Sequence, residues 1–411
     1  MGAAQSKHII LINYYWPPAG GSGVQRWWYF ANELAKKGWT IDVITVQHPT
    51  ATPIDSSFID KTHPNIRIFR LSIWEPGKGL YAATKFKTKK GLLSTLIRWI
   101  RANFFFPDAR QFFIKPAIRL VKKRLKAHPA RWIITTGPPH SMHMVGHAIR
   151  KSNPIKWMAD FRDPWTQFYV NHELPMVPWI RSKHKRIEKQ VILAADHVVT
   201  TTPSLAKLYS AHHSSVSCIF NGFEKPLTAE LSKEFSITYA GVLKPNQPIE
   251  AVWSAFGQLS SSHPSFLSNA HLHLYGVYEN QPTPASLMSQ ITIHGYRPKE
   301  EIDQILPQSH LLILLGNDHP KSQYVIHGKL FAYMAARRPI LAIVNTHGDM
   351  SKIIQDYQLG ATFLNTEIDQ IAEWIATQFE AYNSKTFTPL PPPDLRFSRK
   401  KLAEELHLLL N

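Results

Sequence analysis

The sequence predicts an α/β protein built from two doubly wound domains with parallel sheets, and three observations carry that expectation. Apolar runs of four to six residues alternate with amphipathic helical stretches along most of the 411 residues. Such runs suit strands buried on both faces, and their alternation with helices selects parallel order. The runs fall into two blocks parted near residues 205–235, so the length divides into two sheets. The first run also passes through a glycine-rich loop straight into a helix, the junction at which parallel sheets hold ligands.

In chain order, residues 8–13 (HIILIN) form the first strand and Val24 to Lys37 the first helix. Between them, Gly20, Gly21 and Gly23 let the backbone come close to a ligand, and the helix start offers unpaired N–H groups to an anion. The same glycines also suit a plain turn. Two phosphate motifs are excluded: Arg26 stands where a dinucleotide fingerprint needs its third glycine, and no Lys-Ser or Lys-Thr follows the loop. The remaining strands of the first block are expected at 41–46, 66–71, 132–136, 155–159 and 197–201, and those of the second at 236–240, 271–275, 291–294, 311–315 and 340–344. A proline-rich spacer (PLPPP, 389–393) precedes a last helix. The expected domains are 1–205, 206–388 and a tail of 389–411.

Ligands in such sheets sit beyond the carboxyl ends of the strands, so the residues just after each run are the candidates. After the strand ending at 159 comes Asp160-Phe-Arg-Asp-Pro-Trp165. At a cleft edge, Arg162 can grip an anion and Asp163 can accept a hydroxyl proton; exposed, the segment is a charged turn. His140, His143 and His147 have a spacing that permits metal binding, but no nearby carboxylate or cysteine completes a set. No metal is therefore expected, and His140 alone is a candidate for touching substrate. In the second block Lys244 follows a strand and Lys329 opens a helix, where a point charge joins the N–H groups that a diphosphate needs. Tyr296 and Arg297, after residues 291–294, can offer an aromatic face to a nucleobase or simply anchor a loop.

Composition limits the partners. One cysteine cannot form an internal disulfide, so a reducing compartment is expected, and no apolar run reaches the roughly 20 residues of a membrane span. Net charge is +18, of which residues 78–126 hold fourteen Lys or Arg against Asp108 alone. Within them GLLSTLIRWIRANFFF mixes bulky apolar and basic side chains, as a segment lying on an anionic membrane does. Nucleic acid attracts the same charge, but no recognised nucleic-acid module accompanies it.

With these residues in view, the chain resembles the bacterial glycosyltransferase family 4 enzymes of the GT-B fold, over nearly its whole length. The matching pieces are YYWPPAGGSGVQRWWYFANELAKKGW, TGPPHS, WMADFRDPW, NGF at 221–223, AGVL, GYRPKEEI and KLFAYMA; WEP at 74–76 and PDAR at 107–110 look like an envelope-polysaccharide branch. The resemblance implies two facing Rossmann-like domains, an acceptor held by the first and a nucleotide-sugar donor by the second. It implies transfer with retention of configuration and no cofactor or metal, the leaving nucleoside diphosphate being stabilised by positive groups and helix N–H dipoles. Lys244 and Lys329 would take the diphosphate, Tyr296 and Arg297 would border the base, and Gly20, Gly21 and Gly23 would close on phosphates and sugar. Arg162 sits where relatives often place a sugar-contacting histidine, and retention leaves Asp163 a positioning role. The acceptor would be a lipid-linked or envelope saccharide, met at the inner membrane face by a cytoplasmic, peripheral protein.

One departure matters. Relatives usually carry two glutamates eight positions apart in the second domain, and here those places hold Tyr324 and Ala332. Donor recognition is then rearranged around Asn317, Asp318, His327 and Lys329, or activity is weakened or lost. The competing functions are accordingly a non-catalytic partner that binds membrane or glycan, and an epimerase of sugar nucleotides.

Overall fold

The computed structural model describes residues 7–47, 49, 54–75, 92–169, 174–244, 247–276, 283–317 and 319–411, so residues 78–91 of the basic stretch and Asp318 lie outside it. The chain forms two compact units, Met1–Phe220 with Arg399–Asn411, and Asn221–Ser398.

The first unit holds a seven-stranded sheet of β1 (His8–Ile12), β2 (Thr40–Val46), β3 (Ile66–Leu71), β4 (Trp132–Gly137), β5 (Lys156–Phe161), β6 (His197–Thr200) and β7 (Val216–Cys218), in the order β3-β2-β1-β4-β5-β6-β7. Neighbouring strands run parallel. Every residue of β1 is buried, as a central strand covered on both faces requires. Strand order reverses between β1 and β4, so the crevice beyond their carboxyl ends is where this sheet can take a ligand. At the opposite end the buried Asp42 of β2 pairs with His8 (3.3 Å), Arg67 (2.6 Å) and Arg124 (3.0 Å). Burial alone would raise the pKa of Asp42, but these partners overcome it and lower it to about 2.

The second unit holds β8 (Phe235–Ala240), β9 (Ala270–Tyr275), β10 (Ile291–Gly295), β11 (Leu311–Leu315), β12 (Ile340–Ile343) and β13 (Gly360–Phe363), in the order β10-β9-β8-β11-β12-β13. It too is parallel, and its order reverses between β8 and β11. All the expected strands are present, and β7 and β13 are added.

Three boundaries differ from the sequence expectation. The first unit extends to Phe220 rather than 205, because the helix Pro203–Ser210 and β7 complete its sheet. The tail is not a separate piece: the last helix, Arg399–Leu410, buries Leu402, Ala403, Leu406 and Leu410 in the core of the first unit beside Trp39. The basic stretch is two things. The helix Leu92–Phe104 carries exposed apolar residues, whereas the helix Ile114–Ala127 buries Ala117 and Val121 as an ordinary cover for the sheet.

Candidate functional site

Each sheet's reversal point gathers predicted residues. In the first unit the loop after β1 ends at Gly21, whose φ of 91° lies in the left-handed region that favours glycine, and the helix Ser22–Lys36 follows. Gly20 precedes it in the loop. A side chain at Gly23 would meet Arg162 Nη1 at 3.1 Å and Tyr15 Cδ2 at 3.2 Å. Arg162, just past β5, spans the reversal point: Nη1 donates to Gly23 O (3.0 Å), Nη2 donates to Pro138 O, and its backbone N donates to Gly137 O (2.8 Å). Burial lowers its pKa and the neighbouring Asp163 pulls the other way; the guanidinium stays charged. Thus Gly23, His140, Arg162 and Asp163 are brought together, with Arg162 bracing the loops after β1 and β4.

The first aspartate of the DFRD segment has a separate task. Asp160 is fully buried and accepts from Arg26 Nη2 (2.8 Å), Arg26 Nε (3.3 Å), Trp27 Nε1 (2.7 Å) and Thr136 Oγ1 (2.7 Å). Burial pushes its pKa up, yet the Arg26 charge and these donors more than offset that and hold it below the usual range. Arg26 also donates to the carbonyls of Ile219 (2.9 Å) and Phe220 (2.8 Å). The residue that excluded a dinucleotide fingerprint is therefore a buried brace between the first helix, β5 and the end of the unit.

His140 precedes the helix Ser141–Ser152 and lies flat on Trp165, with ring centroids 4.8 Å apart and planes 1° from parallel. The helix start itself is filled by Asp108 of PDAR, which accepts from Ser141 N (2.9 Å) and Ser141 Oγ (2.6 Å). That acid occupies the place an anion would take. Burial, with His143, His184 and Arg162 nearby, depresses the His140 pKa well below its usual value, so the ring is neutral near pH 7. His143 is buried against Phe161 and bonded to Thr135, and His147 packs near Trp157. Among the described residues no three His, Cys, Asp or Glu side chains are grouped to hold a metal ion.

In the second unit Gly241 follows β8 with φ 135°, and a Cβ there would lie 2.2 Å from Lys329 Cε. Only glycine lets Lys329 cross at this point. Lys329, second residue of the helix Gly328–Ala336, donates to Tyr239 Oη (2.7 Å) and sits 3.9 Å from the centre of that ring. Tyr239 Oη donates to Val242 O (2.8 Å), while Gln247 takes Lys244 N (2.8 Å) and donates to Leu315 O (3.1 Å), tying the ends of β8 and β11. Burial, then the charge of Lys244, lowers the Lys329 pKa to about 7, and burial with both lysines lowers that of His327 to about 4. Lys244, His327 and Lys329 thus form one cluster.

Of the other predicted residues, Asn317 follows β11, the strand beside β8, whereas Tyr296 and Arg297 follow the edge strand β10, two strands away from β8. Asn317, past β11, accepts from His319 N (2.9 Å). Tyr296 and Arg297 are exposed beyond the edge strand β10, Arg297 facing Glu301 at 3.9 Å. Their strand end is laced to β8 through Gly276 N to Gly295 O and Gly241 N to Tyr275 O, both 2.7 Å. Tyr324 ends a short 3-10 helix, Pro320–Tyr324, and Ala332 lies inside the Gly328–Ala336 helix.

The arrangement has known counterparts in shape. Sucrose-phosphate synthase from Thermosynechococcus elongatus superimposes with a TM-score of 0.65 at 16% identity, covering 99% of this chain and 98% of that one. The Staphylococcus aureus protein TarM, solved as a mutant with fondaparinux, α-GlcNAc-glycerol and UDP, gives 0.64 at 11% identity, covering 98% and 99%. The lipopolysaccharide outer core galactosyltransferase WaaB gives 0.56 at 12% identity, covering 98% and 99%. No protein-family profile and no curated protein sequence matches. The chain has the GT-B fold, two Rossmann-like units with parallel sheets.

Proposed function

We propose that this protein is a retaining, metal-independent glycosyltransferase that moves a sugar from a nucleotide-sugar donor to a cell-envelope or lipid-linked glycan. The observation that carries the reading is the Gly241–Lys329 crossing. A glycine, a buried lysine, a second lysine and a helix start meet at the reversal point of the second sheet. A departing nucleoside diphosphate needs positive charge and N–H donors at just such a place. Binding it would restore the full charge of Lys329. In the first unit Arg162, Asp163 and His140 would touch sugar or acceptor, and Asp163 would position rather than abstract. The UDP bound in the TarM structure and the galactosyl transfer of WaaB support a sugar-nucleotide donor.

The acceptor side draws on the helix Leu92–Phe104, whose exposed Leu96, Trp99, Ile100 and Phe104 are interleaved with Arg98 and Arg101. This favours a cytoplasmic protein resting on the inner membrane face. Among the described residues no helix is long and apolar enough to cross a membrane. The test is a thermal-shift and turnover screen with UDP-, GDP- and dTDP-sugars and lipid-linked acceptors. A stabilising donor and free nucleoside diphosphate are expected, with both lost in Lys329→Ala and transfer alone lost in Arg162→Ala. Failure of every donor to bind would sink the reading.

A second reading, a weakened paralogue that only binds, is motivated by Tyr324 and Ala332 in place of carboxylates. Ala332→Glu separates the two: a large gain in nucleotide affinity favours decay, and no change or a loss favours a rearranged working site.

A further inference from the structure

The turn that follows β5 is clamped by the helix that comes after it. Within that turn the backbone of Arg162 is fixed on both sides, its N–H donating to Gly137 O (2.8 Å) and its carbonyl accepting from Thr201 Oγ1 (2.6 Å). Past it, Trp165 Nε1 donates to His184 Nδ1 (3.0 Å), Trp165 N to Tyr209 Oη (3.4 Å), and both Thr166 N (3.3 Å) and Thr166 Oγ1 to Glu188. Tyr209 Oη in turn donates to Glu188 (2.8 Å). His184 and Glu188 are buried one turn apart on the helix Pro178–Ala194, so a single helix face supplies acceptors to both residues of the pair. Burial raises the pKa of Glu188, and no cation is in ion-pair contact with it among the described residues. A buried carboxylate held only by neutral donors is a costly way to fix one turn, and such cost gathers where a site must be rigid.

The bond from Trp165 settles the state of His184. An indole N–H can only donate, so His184 Nδ1 accepts and the neutral ring keeps its proton on Nε2. Burial, reinforced by Lys183, lowers the His184 pKa to about 4, so the ring is neutral near pH 7. Phe106 packs against it, with ring centroids 4.7 Å apart. The indole held in this way is 1% exposed, and His140 lies on its face, 4.8 Å away and parallel to within 1°. Of the two His140 nitrogens, Nδ1 is buried without a partner, which leaves Nε2 as the one that can meet a ligand.

We propose that His184 is a positioning residue for the site in the first unit: by accepting the Trp165 N–H it fixes the indole on which His140 lies, and with it the plane of the His140 ring. The bond from Trp165 N to Tyr209 holds the backbone end of the residue and the bond to His184 holds the ring end, so the indole is left with one orientation. Without that acceptor the buried N–H loses its match, and the cost of the loss favours a turn of the ring. An imidazole stacked on the indole then loses the surface that sets its plane. Asparagine is the conservative replacement, since its Oδ1 stands at the same remove from the backbone as histidine Nδ1 and accepts in the same way. That His140 meets substrate rests on the proposed glycosyl transfer; the placement of its ring does not.

The experiment compares His184→Phe, which fills the space without an acceptor, with His184→Asn, which keeps one. Ile192→Val, a trimmed buried side chain two turns further along the same helix, serves as the control for lost stability alone. In turnover, kcat should fall on the order of tenfold or more in His184→Phe while KM for the donor stays within about twofold, and kcat should return in His184→Asn. Ile192→Val should lower the melting temperature and leave kcat in place. Isotope labelling of tryptophan and histidine rings gives two NMR signals that need no turnover, assigned with Trp165→Phe and His140→Gln. One is the Trp165 indole N–H, moved downfield by its bond to His184; the other is the pair of carbon-bound His140 ring protons, moved upfield by the indole face. Both displacements are expected in the wild type and in His184→Asn, and both should be lost in His184→Phe. His140 signals that stay in place while the indole signal moves overturn the proposal, as does a loss of kcat that folded His184→Asn does not restore. If no donor is turned over and the two signals still move together, the glycosyl-transfer reading falls and the placement of His140 by His184 stands.

Discussion

Arg26 and Arg162 bring the same side chain to the same sheet edge for different ends. Arg26 neutralises Asp160 and caps two carbonyls, so it is spent on structure; Arg162 is held by carbonyls, with no carboxylate in ion-pair contact among the described residues. Asp160→Asn would strand the buried Arg26 charge, and a loss of about 3–5 kcal/mol of stability is expected in denaturant unfolding. The wild-type contribution should be present above the unfolded carboxylate pKa and fade as pH falls below it, because the folded pKa is depressed. Lys329 behaves the opposite way toward ligand. With its pKa lowered to about 7, diphosphate binding should take up a proton, and affinity should fall as pH rises above about 7. Calorimetry in buffers of different ionisation heat measures that uptake, and Lys329→Met should abolish it. The glycine loop and both lysines were legible in the sequence because each is a local signal. The Arg26–Asp160 pair was not, since it joins residues 134 positions apart that only the β1-β4-β5 order makes neighbours.

At the scale of elements, periodicity located the strands well where they are apolar throughout, as in HIILI and LLILL. It passed over β7 and β13, whose three and four residues include serine, cysteine, glycine and threonine. Charge misled in the basic stretch: six of the fourteen residues of the Ile114–Ala127 helix are Lys or Arg, and they hid the narrow buried stripe of Ala117 and Val121. The preceding helix keeps its apolar side outward, with Phe104 65% and Trp99 39% exposed. Trp99→Ser with Phe104→Ser should weaken cosedimentation with anionic vesicles by about tenfold or more and leave the melting temperature within a degree or two, since little buried surface is lost. Equal binding of wild type and double variant would remove this helix from any membrane contact.

For the molecule as a whole, alternating runs were enough to announce two parallel sheets, because that pattern is repeated in every βα unit. The division of the chain was harder to read, since nothing local in Arg399–Leu410 says which core its leucines enter. Removing residues 399–411 uncovers Trp39, which bonds His407 (2.9 Å), and Trp132, which bonds Leu410 O (2.9 Å). The first unit should lose at least about 5 kcal/mol and unfold at lower temperature, while the second stays folded. Ten of the twelve tryptophans lie in the first unit, so their fluorescence reports its melting almost alone.

That returning helix also sets a timetable for synthesis. The first unit is not complete until residues 399–411 have emerged, after the whole of residues 221–398. At about 5–20 residues per second the delay is on the order of ten to forty seconds, with Trp39 and its neighbours waiting for their cover. The usual order of amino-terminal domain first is inverted here. A ribosome that stops just short of residue 399 releases the residues of the whole second unit joined to a first unit that lacks its last helix.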